Sequence, residues 1–252
     1  MRTVHRVNLL GVKISTLSLI ETVDFIAESV GARGLVAISP SPVYTVMQGH
    51  ERPEVRAALN SNLATPDGMP VVWALRMLGH RAERVYGPDL MLAVCERSAR
   101  EGWSHFFFGG APGVAEMLAA EMRRRFPALA VAGVLCPPFR ALTSEEEEAM
   151  LAHLNGSGAQ IVWVGLGSPK QDLWMAQYRP RLRPPVLVGV GAAFDFFTGR
   201  TPQAPRWMRR GGLEWLFRLA SEPRRLWRRY VIYNPKFVWE VTRQRLGLRR
   251  YE

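Results

Sequence analysis

Apolar residues along this chain follow two alternating rhythms. Short unbroken runs at 35–38, 105–108, 131–135, 161–164 and 186–190 have the length and content of strands buried on both faces. Between them lie stretches whose apolar positions recur every three or four residues. At 17–30, Ser18 stands where an N-cap is expected, and Leu19, Val23 and Ile26 face one way. Thr143 followed by Glu146 is a capping box that opens another such stretch, running to about 154. Further helices are expected at 43–49, 53–60, 90–101 and 114–126, and from the 165–172 loop to about 178, with a strand or hairpin at 3–16. This alternation predicts an α/β chain: a Rossmann-like, mostly parallel sheet with helices on both faces.

The polar and glycine-rich breaks come where these strands end, and in open α/β sheets the ligand crevice lies beyond the carboxyl ends of the strands. Ser39-Pro40-Ser41-Pro42 reads as a loop. Gly109-Gly110-Ala111-Pro112-Gly113, ahead of a helix, could present backbone N–H groups to a phosphate, and it equally suits a tight strand-to-helix turn. Gly165-Leu166-Gly167-Ser168-Pro169-Lys170-Gln171 adds Lys170 for a phosphate and Gln171 for a sugar or base, although Gly-Ser-Pro is also ordinary turn chemistry. Thr65-Pro66-Asp67-Gly68-Met69-Pro70 combines a Pro-Asp-Gly turn with a proline suited to the first turn of the next helix. Asp67 is thereby placed just ahead of a helix N-terminus, whose partial positive charge should keep its carboxylate ionised. It is either a functional carboxylate or a turn residue that caps the helix.

Composition narrows the picture. With 48% hydrophobic residues over 252 positions, the chain can bury a large core, and disorder is excluded. Its two cysteines, Cys95 and Cys136, form no disulfide framework, and its five histidines show no ligand spacing. The five aspartates include no Asp-x-Asp pair, so a metal holding a nucleotide-sugar diphosphate is not expected; arginines such as Arg84 would have to neutralise a pyrophosphate. The start shows no long apolar signal region, and no uncharged apolar run approaches the ~20 residues of a membrane span.

The net charge of +11 is unevenly distributed. Residues 199–252 hold 14 Lys or Arg against 4 Asp or Glu, whereas residues 1–198 nearly balance, 19 against 18. Aromatics such as Trp207, Trp215, Trp227 and Trp239 interleave with these bases. The expected division is an α/β body at 1–198 and a basic helical C-terminal appendage at 199–252. Three short helices are expected there, at about 213–220, 223–232 and 235–246, with Ser221 and Asn234 as N-caps. Arg224, Arg225, Arg228 and Arg229 beside Leu226, Trp227 and Tyr230 form the pattern of an interfacial basic helix; a solvated helical hairpin is the plainer reading. Such a tail fits an anionic membrane surface, a phosphate-bearing lipid or nucleic acid.

Five spaced stretches, in order along nearly the whole chain, together resemble the WecG/TagA/CpsF glycosyltransferases (glycosyltransferase family 26). They are Thr65-Pro66-Asp67-Gly68-Met69-Pro70-Val71-Val72, Arg84-Val85-Tyr86-Gly87-Pro88-Asp89-Leu90, Gly165-Leu166-Gly167-Ser168-Pro169-Lys170-Gln171, Gly189-Val190-Gly191-Ala192-Ala193-Phe194-Asp195 and Gly212-Leu213-Glu214-Trp215-Leu216-Phe217-Arg218-Leu219. The resemblance implies an inverting, metal-independent transferase without a cofactor. It would move an N-acetylmannosamine-type sugar or glucose from a UDP-sugar, its substrate, to a polyprenyl-diphosphate-linked saccharide. That would place it on the cytoplasmic, inner face of the cell membrane, in bacterial cell-surface or exopolysaccharide synthesis. It implies Asp67 as general base, with Ser39, Arg84 and Gln171 also catalytic. Substrate contacts would fall on Ser41, Tyr86 and Asp195, joined by Gly109, Gly110, Gly167 and Lys170 of the two glycine-rich loops. Ser41 stands where the family has Asn, and Asp172 where it has Glu. By the same resemblance, the appendage docks on the membrane and lends Arg218, Arg225 and Arg228 to the leaving diphosphate. A homo-oligomer is compatible with the sequence. The alternative is a nucleic-acid-binding protein with a nucleotide-like fold and a basic tail, which would bind oligonucleotides in a salt-sensitive way and ignore UDP. A nonenzymatic assembly factor of a polysaccharide complex is a third reading, distinguished by releasing no UDP.

Overall fold

A computed structural model of the protein describes residues 3–32 and 34–251. Eight strands form one sheet: β1 (Arg6–Leu9), β2 (Val12–Ser15), β3 (Val36–Ser41), β4 (Leu63–Pro66), β5 (Ser104–Gly109), β6 (Ala130–Leu135), β7 (Ile161–Gly165) and β8 (Val186–Gly189), in the order β1-β2-β4-β3-β8-β7-β5-β6. The first two make an antiparallel hairpin, and every other pairing is parallel. Helices α1 (Leu19–Gly31), α2 (Val43–Glu51), α3 (Pro53–Ser61), α4 (Met69–Met77), α5 (Gly87–Glu101), α6 (Val114–Arg125), α7 (Ser144–Gly156), α8 (Lys170–Tyr178) and α9 (Ala193–Phe197) cross between strands or follow them. The last segment holds α10 (Arg206–Arg210), α11 (Glu214–Ser221), α12 (Pro223–Trp227) and α13 (Tyr233–Arg245).

The pleat sorts the central strands between two cores. Phe107, Ile161, Trp163, Val186 and Val188 pack against α1, α5 and α6, while Phe106, Phe108, Val162, Val164 and Leu187 pack against α7 and α8. This two-sided burial is why those strands read as unbroken apolar runs. The expected capping box forms, Thr143 with Glu146 on α7, and the expected N-cap Ser18 makes a second one with Glu21 on α1.

Three local expectations are corrected. Leu63–Pro66 is a strand rather than part of a loop, and it pairs with Ile38–Ser41, so β3 continues through the expected Ser39-Pro40-Ser41 loop. The partner β8 stops at Ile38, so Pro40 lies where β3 has a single neighbour and the missing N–H is tolerated. At the C-terminal end, Ser221 and Asn234 cap nothing: Ser221 closes α11, and Asn234 lies inside α13. A π-helical turn at Arg228–Ile232 joins α12 to α13 instead of a break. Pro235 has no N–H to give the carbonyl four residues back, and the wider turn absorbs that missing bond.

The last helix is built into the body. Phe237 and Val241 of α13 join the cluster formed by the β1–β2 hairpin, α2, α3 and α4. The Gln244 side chain accepts from Leu10 N at 3.0 Å and donates to Asn8 O at 2.7 Å, tying α13 to the hairpin turn.

Candidate active site

The carboxyl ends of β3, β4, β7 and β8 open into one cleft of about 790 Å³, roofed by α11, α12 and the π-helical turn. Asp67 follows the last residue of β4. Its N–H donates to Ser41 O at 3.3 Å, and the preceding Pro66 O accepts from Val85 N at 2.8 Å. Gly68, at φ 95°, turns the chain into α4, a conformation open to glycine at little strain. The strand end, the connector at 82–86 and this glycine together fix where the Asp67 carboxylate points.

Arg84 lies between two carboxylates. Its Nη2 is 3.5 Å from Asp67 Oδ1 and 2.5 Å from Glu214 Oε2, on the first turn of α11. Its Nη1 donates to Arg209 O at 3.2 Å, and its guanidinium lies 4.0 Å over the Tyr86 ring. Tyr86 donates to Glu214 Oε1 at 3.0 Å and accepts from Gln203 Nε2 at 3.2 Å. Both oxygens of Glu214 are thus engaged, whereas Asp67 has only the long contact to Arg84 among the described residues.

Electrostatics follows from this arrangement. The Asp67 side chain keeps 18% of its surface, yet the protein packed round it raises its pKa to about 6; Arg84 opposes that rise, Glu214 adds to it and Arg218 opposes it. Burial therefore sets the Asp67 pKa above the usual carboxylate range, closer to neutrality than the place of the residue before α4 suggested. A carboxylate with a pKa near 6 is mostly ionised at neutral pH and still able to hold a proton. Burial lowers the Arg84 pKa, but Asp67 and Glu214 outweigh it and the net shift is upward. Burial pushes the Tyr86 hydroxyl well above its usual range, so it remains a donor.

The structure brings most of the sequence-derived candidates to this cleft. Asp67, Arg84, Tyr86, Gly110, Gly167, Gln171 and Asp195 line it, as do Arg218, Arg225 and Arg228. Gln171 Oε1 accepts from Gly167 N at 3.1 Å, holding the α8 entry loop against the wall. Asp195 pairs with Arg200 at 3.6 Å. Four candidates lie elsewhere. Lys170 is exposed outside the cleft. Gly109, at φ 109°, lies against the Gly165 backbone, where an added Cβ would come within 2.9 Å of Gly165 C; close strand packing is what demands glycine there. Ser41 is buried and donates to Ser39 O at 2.8 Å. Ser39 is buried below the cleft floor and accepts from Asn62 Nδ2 at 3.1 Å.

Sequence reasoning gave no role in the cleft to Glu214, Arg209 or Arg229. Arg229 lines the cleft with its guanidinium 4.4 Å from the Tyr44 ring, and burial lowers its pKa. Glu214 carried a signal: it is one of only four acids in a segment of 14 bases.

Beneath Ser39 lies a second carboxyl of interest. Asp172 is fully buried on the first turn of α8, and neither oxygen has a hydrogen bond of good geometry. Burial raises its pKa to about 6, and the neighbouring Ser39 and Ser168 hydroxyls offset this only in part. Its folded pKa exceeds the unfolded value of roughly 3.9. Folding is therefore favoured below that value, and the advantage is lost as pH rises through 6. Asp172→Asn is expected to melt roughly 5 °C above wild type at pH 7.5 and level with it at pH 4, by thermal unfolding at the two pH values. A variant that melts lower at pH 7.5 would show that the carboxylate holds its neighbours in place.

The profile of the glycosyl transferase WecG/TagA/CpsF family matches residues 7–251, almost the whole described chain. With a cleft at the strand ends and a carboxylate poised at its floor, the chain belongs to the WecG/TagA/CpsF family of glycosyltransferases.

Proposed function

We propose that the protein is an inverting, metal-independent transferase that moves an N-acetylmannosamine-type sugar or glucose from a UDP-sugar to a polyprenyl-diphosphate-linked saccharide. The observation that carries this reading is the meeting of Asp67, which Arg84 contacts only at long range, with a rim of arginines in a single cleft. In direct displacement, Asp67 takes the proton of an acceptor hydroxyl as its oxygen attacks the anomeric carbon. The bond from that carbon to UDP breaks on the opposite face, and UDP leaves with the electron pair. Arg218, Arg225, Arg228 and Arg229 line the cleft and supply positive charge where the diphosphate would gather negative charge. Arg218, Arg228 and Arg229 form no ion pair within 4 Å among the described residues, and Arg218 acts on Asp67 only at longer range, so their charge is open to a ligand.

The same roof supports docking on an anionic membrane. Among the described residues, no helix is long and apolar enough to cross a membrane. Trp207, Trp227, Val231, Ile232 and Trp239 are nonetheless exposed in the segment that holds most of the net positive charge. Apolar side chains beside arginines suit the headgroup boundary. We read residues 199–252 as the appendage that places the cleft at the inner face of a bacterial cell membrane, in cell-surface or exopolysaccharide synthesis. A nucleic-acid-binding reading leaves the Asp67, Arg84 and Glu214 cluster without a task.

The test is UDP release by the full chain with a panel of UDP-sugars, a short-chain polyprenyl-diphosphate saccharide and anionic vesicles. Acceptor-dependent release with one donor is expected, unaffected by EDTA and reduced when neutral lipid replaces anionic lipid. The rate is expected to fall about tenfold per pH unit well below pH 6, as Asp67 takes up its proton. Neither turnover nor UDP binding with any donor would overturn the reading.

A further inference from the structure

We infer that Glu214 is a positioning residue that holds the Arg84 guanidinium away from Asp67 and so leaves the Asp67 carboxylate free to accept a proton. This rests on the reading of Asp67 as the base. Asp67 and Glu214 compete for the same nitrogen, Arg84 Nη2, and the distances decide between them. At 2.5 Å Glu214 makes a charge-assisted hydrogen bond, while at 3.5 Å Asp67 is at the limit of one. The rest of the Arg84 side chain is oriented by the same segment. Its Nη1 is bound to the Arg209 carbonyl on α10, and its face rests on Tyr86, which is itself bonded to Glu214.

Arg209 completes the clamp, with its guanidinium 5.6 Å from the Tyr86 ring and an Nη1 contact to Asp89 at 3.3 Å. The charged groups that bear on Asp67 are Arg84 from the 82–86 connector, and Glu214 and Arg218 from α11, with Tyr86 beside them. Without the Glu214 carboxylate, Arg84 would have Asp67 as its only close anionic partner. A full ion pair there would stabilise the ionised carboxylate and weaken it as a base. Glu214 is thus an acid that a strongly basic segment contributes to the site, and seating α11 on the body is what releases Asp67.

Loss of the Glu214 charge lowers the Asp67 midpoint by itself, so the charge-keeping Glu214→Asp separates positioning from a merely structural latch. A midpoint that falls there too requires Arg84 to have moved onto Asp67, whereas a latch that does not position Arg84 leaves it unchanged. The chain has five aspartates, so labelling the full-length protein with 13C at aspartate Cγ yields five carboxyl resonances, and Asp67→Asn assigns the one of interest. The wild-type Asp67 resonance is expected to titrate near 6. In Glu214→Gln its midpoint should fall by about one unit, and in Glu214→Asp, which keeps the charge but shortens the reach, by less. Kinetically, Glu214→Gln should lower kcat about tenfold and move the acid limb of the pH–rate profile down by the same interval, with the donor KM held within about twofold. If Glu214→Gln does not fold, Glu214→Asp carries the comparison. An unchanged midpoint in a folded variant overturns the inference. The titration is read on the resting protein, so a midpoint that falls in a chain that transfers no sugar would sustain the positioning role and count against the transferase reading alone.

Discussion

Asp67→Asn is expected to lower turnover about a thousandfold while leaving UDP affinity within about twofold of wild type. The substitution keeps the shape of the side chain and the main-chain bonds at the end of β4, from Asp67 N to Ser41 O and from Val85 N to Pro66 O. Arg84 retains Glu214 as its strong partner, so the site does not collapse around an unpaired cation. What disappears is the carboxylate beside Arg84, which no hydrogen bond of ordinary length engages. An amide cannot take the acceptor proton, so the loss falls on kcat. Because burial works against the ionised form of Asp67, the variant should also unfold no more readily than wild type at pH 7.5. Turnover assays beside UDP titration calorimetry test this. Loss of both turnover and binding would make Asp67 a donor ligand, and retention of turnover would remove it from the chemistry.

The second large effect concerns residues 199–252. A chain ending at Thr198 is expected to lose transfer completely and to lose most of its stability as well. Leu226, Phe237 and Val241 are each only 3% exposed, and withdrawing them from water contributes roughly 5–9 kcal/mol together. That is comparable to the roughly 5–15 kcal/mol that separates most folded domains from their unfolded chains. The truncation would also open the cluster that α13 shares with the β1–β2 hairpin, and it would remove Gln244 from the hairpin turn and Lys236 from Glu51. Denaturant unfolding of the two chains measures this. A truncated chain that melts with wild-type cooperativity would show the appendage to be separable, and the loss of transfer could then be assigned to the roof of the cleft alone.

These two expectations draw on different kinds of information. The Asp67 loop, the α8 entry loop and the strand ends were legible because each is encoded locally. An apolar run that stops at a glycine marks the end of β5, β7 and β8, and parallel strands place such ends on one rim, whereas β3 runs on through Pro40 because β4 pairs with it there. The N-cap at Ser18 and the capping box at Thr143 were legible for the same reason, since the groups that meet lie within four residues. Short β4 was missed because four residues including Thr65 and Pro66 carry turn signals, and only pairing with β3 makes them a strand. Ser39 and Ser41 illustrate the opposite failure: their hydroxyls stand at a strand end, but the pleat turns them under the floor towards Asn62 and the β3 main chain.

The α/β alternation, the glycine-rich loops of the rim, the place of the Asp67 turn and the net positive charge of the last 54 residues are all written along the chain, because period, turn chemistry and charge are properties of neighbours in sequence. Which of those residues meet is settled by the packing of distant segments. Arg84 and Glu214 are 130 positions apart, and Asp67 owes its elevated pKa to atoms packed around it rather than to the helix that follows it. Desolvation and the sharing of one guanidinium depend on distances through space, and those exist only once α11 has folded over the sheet.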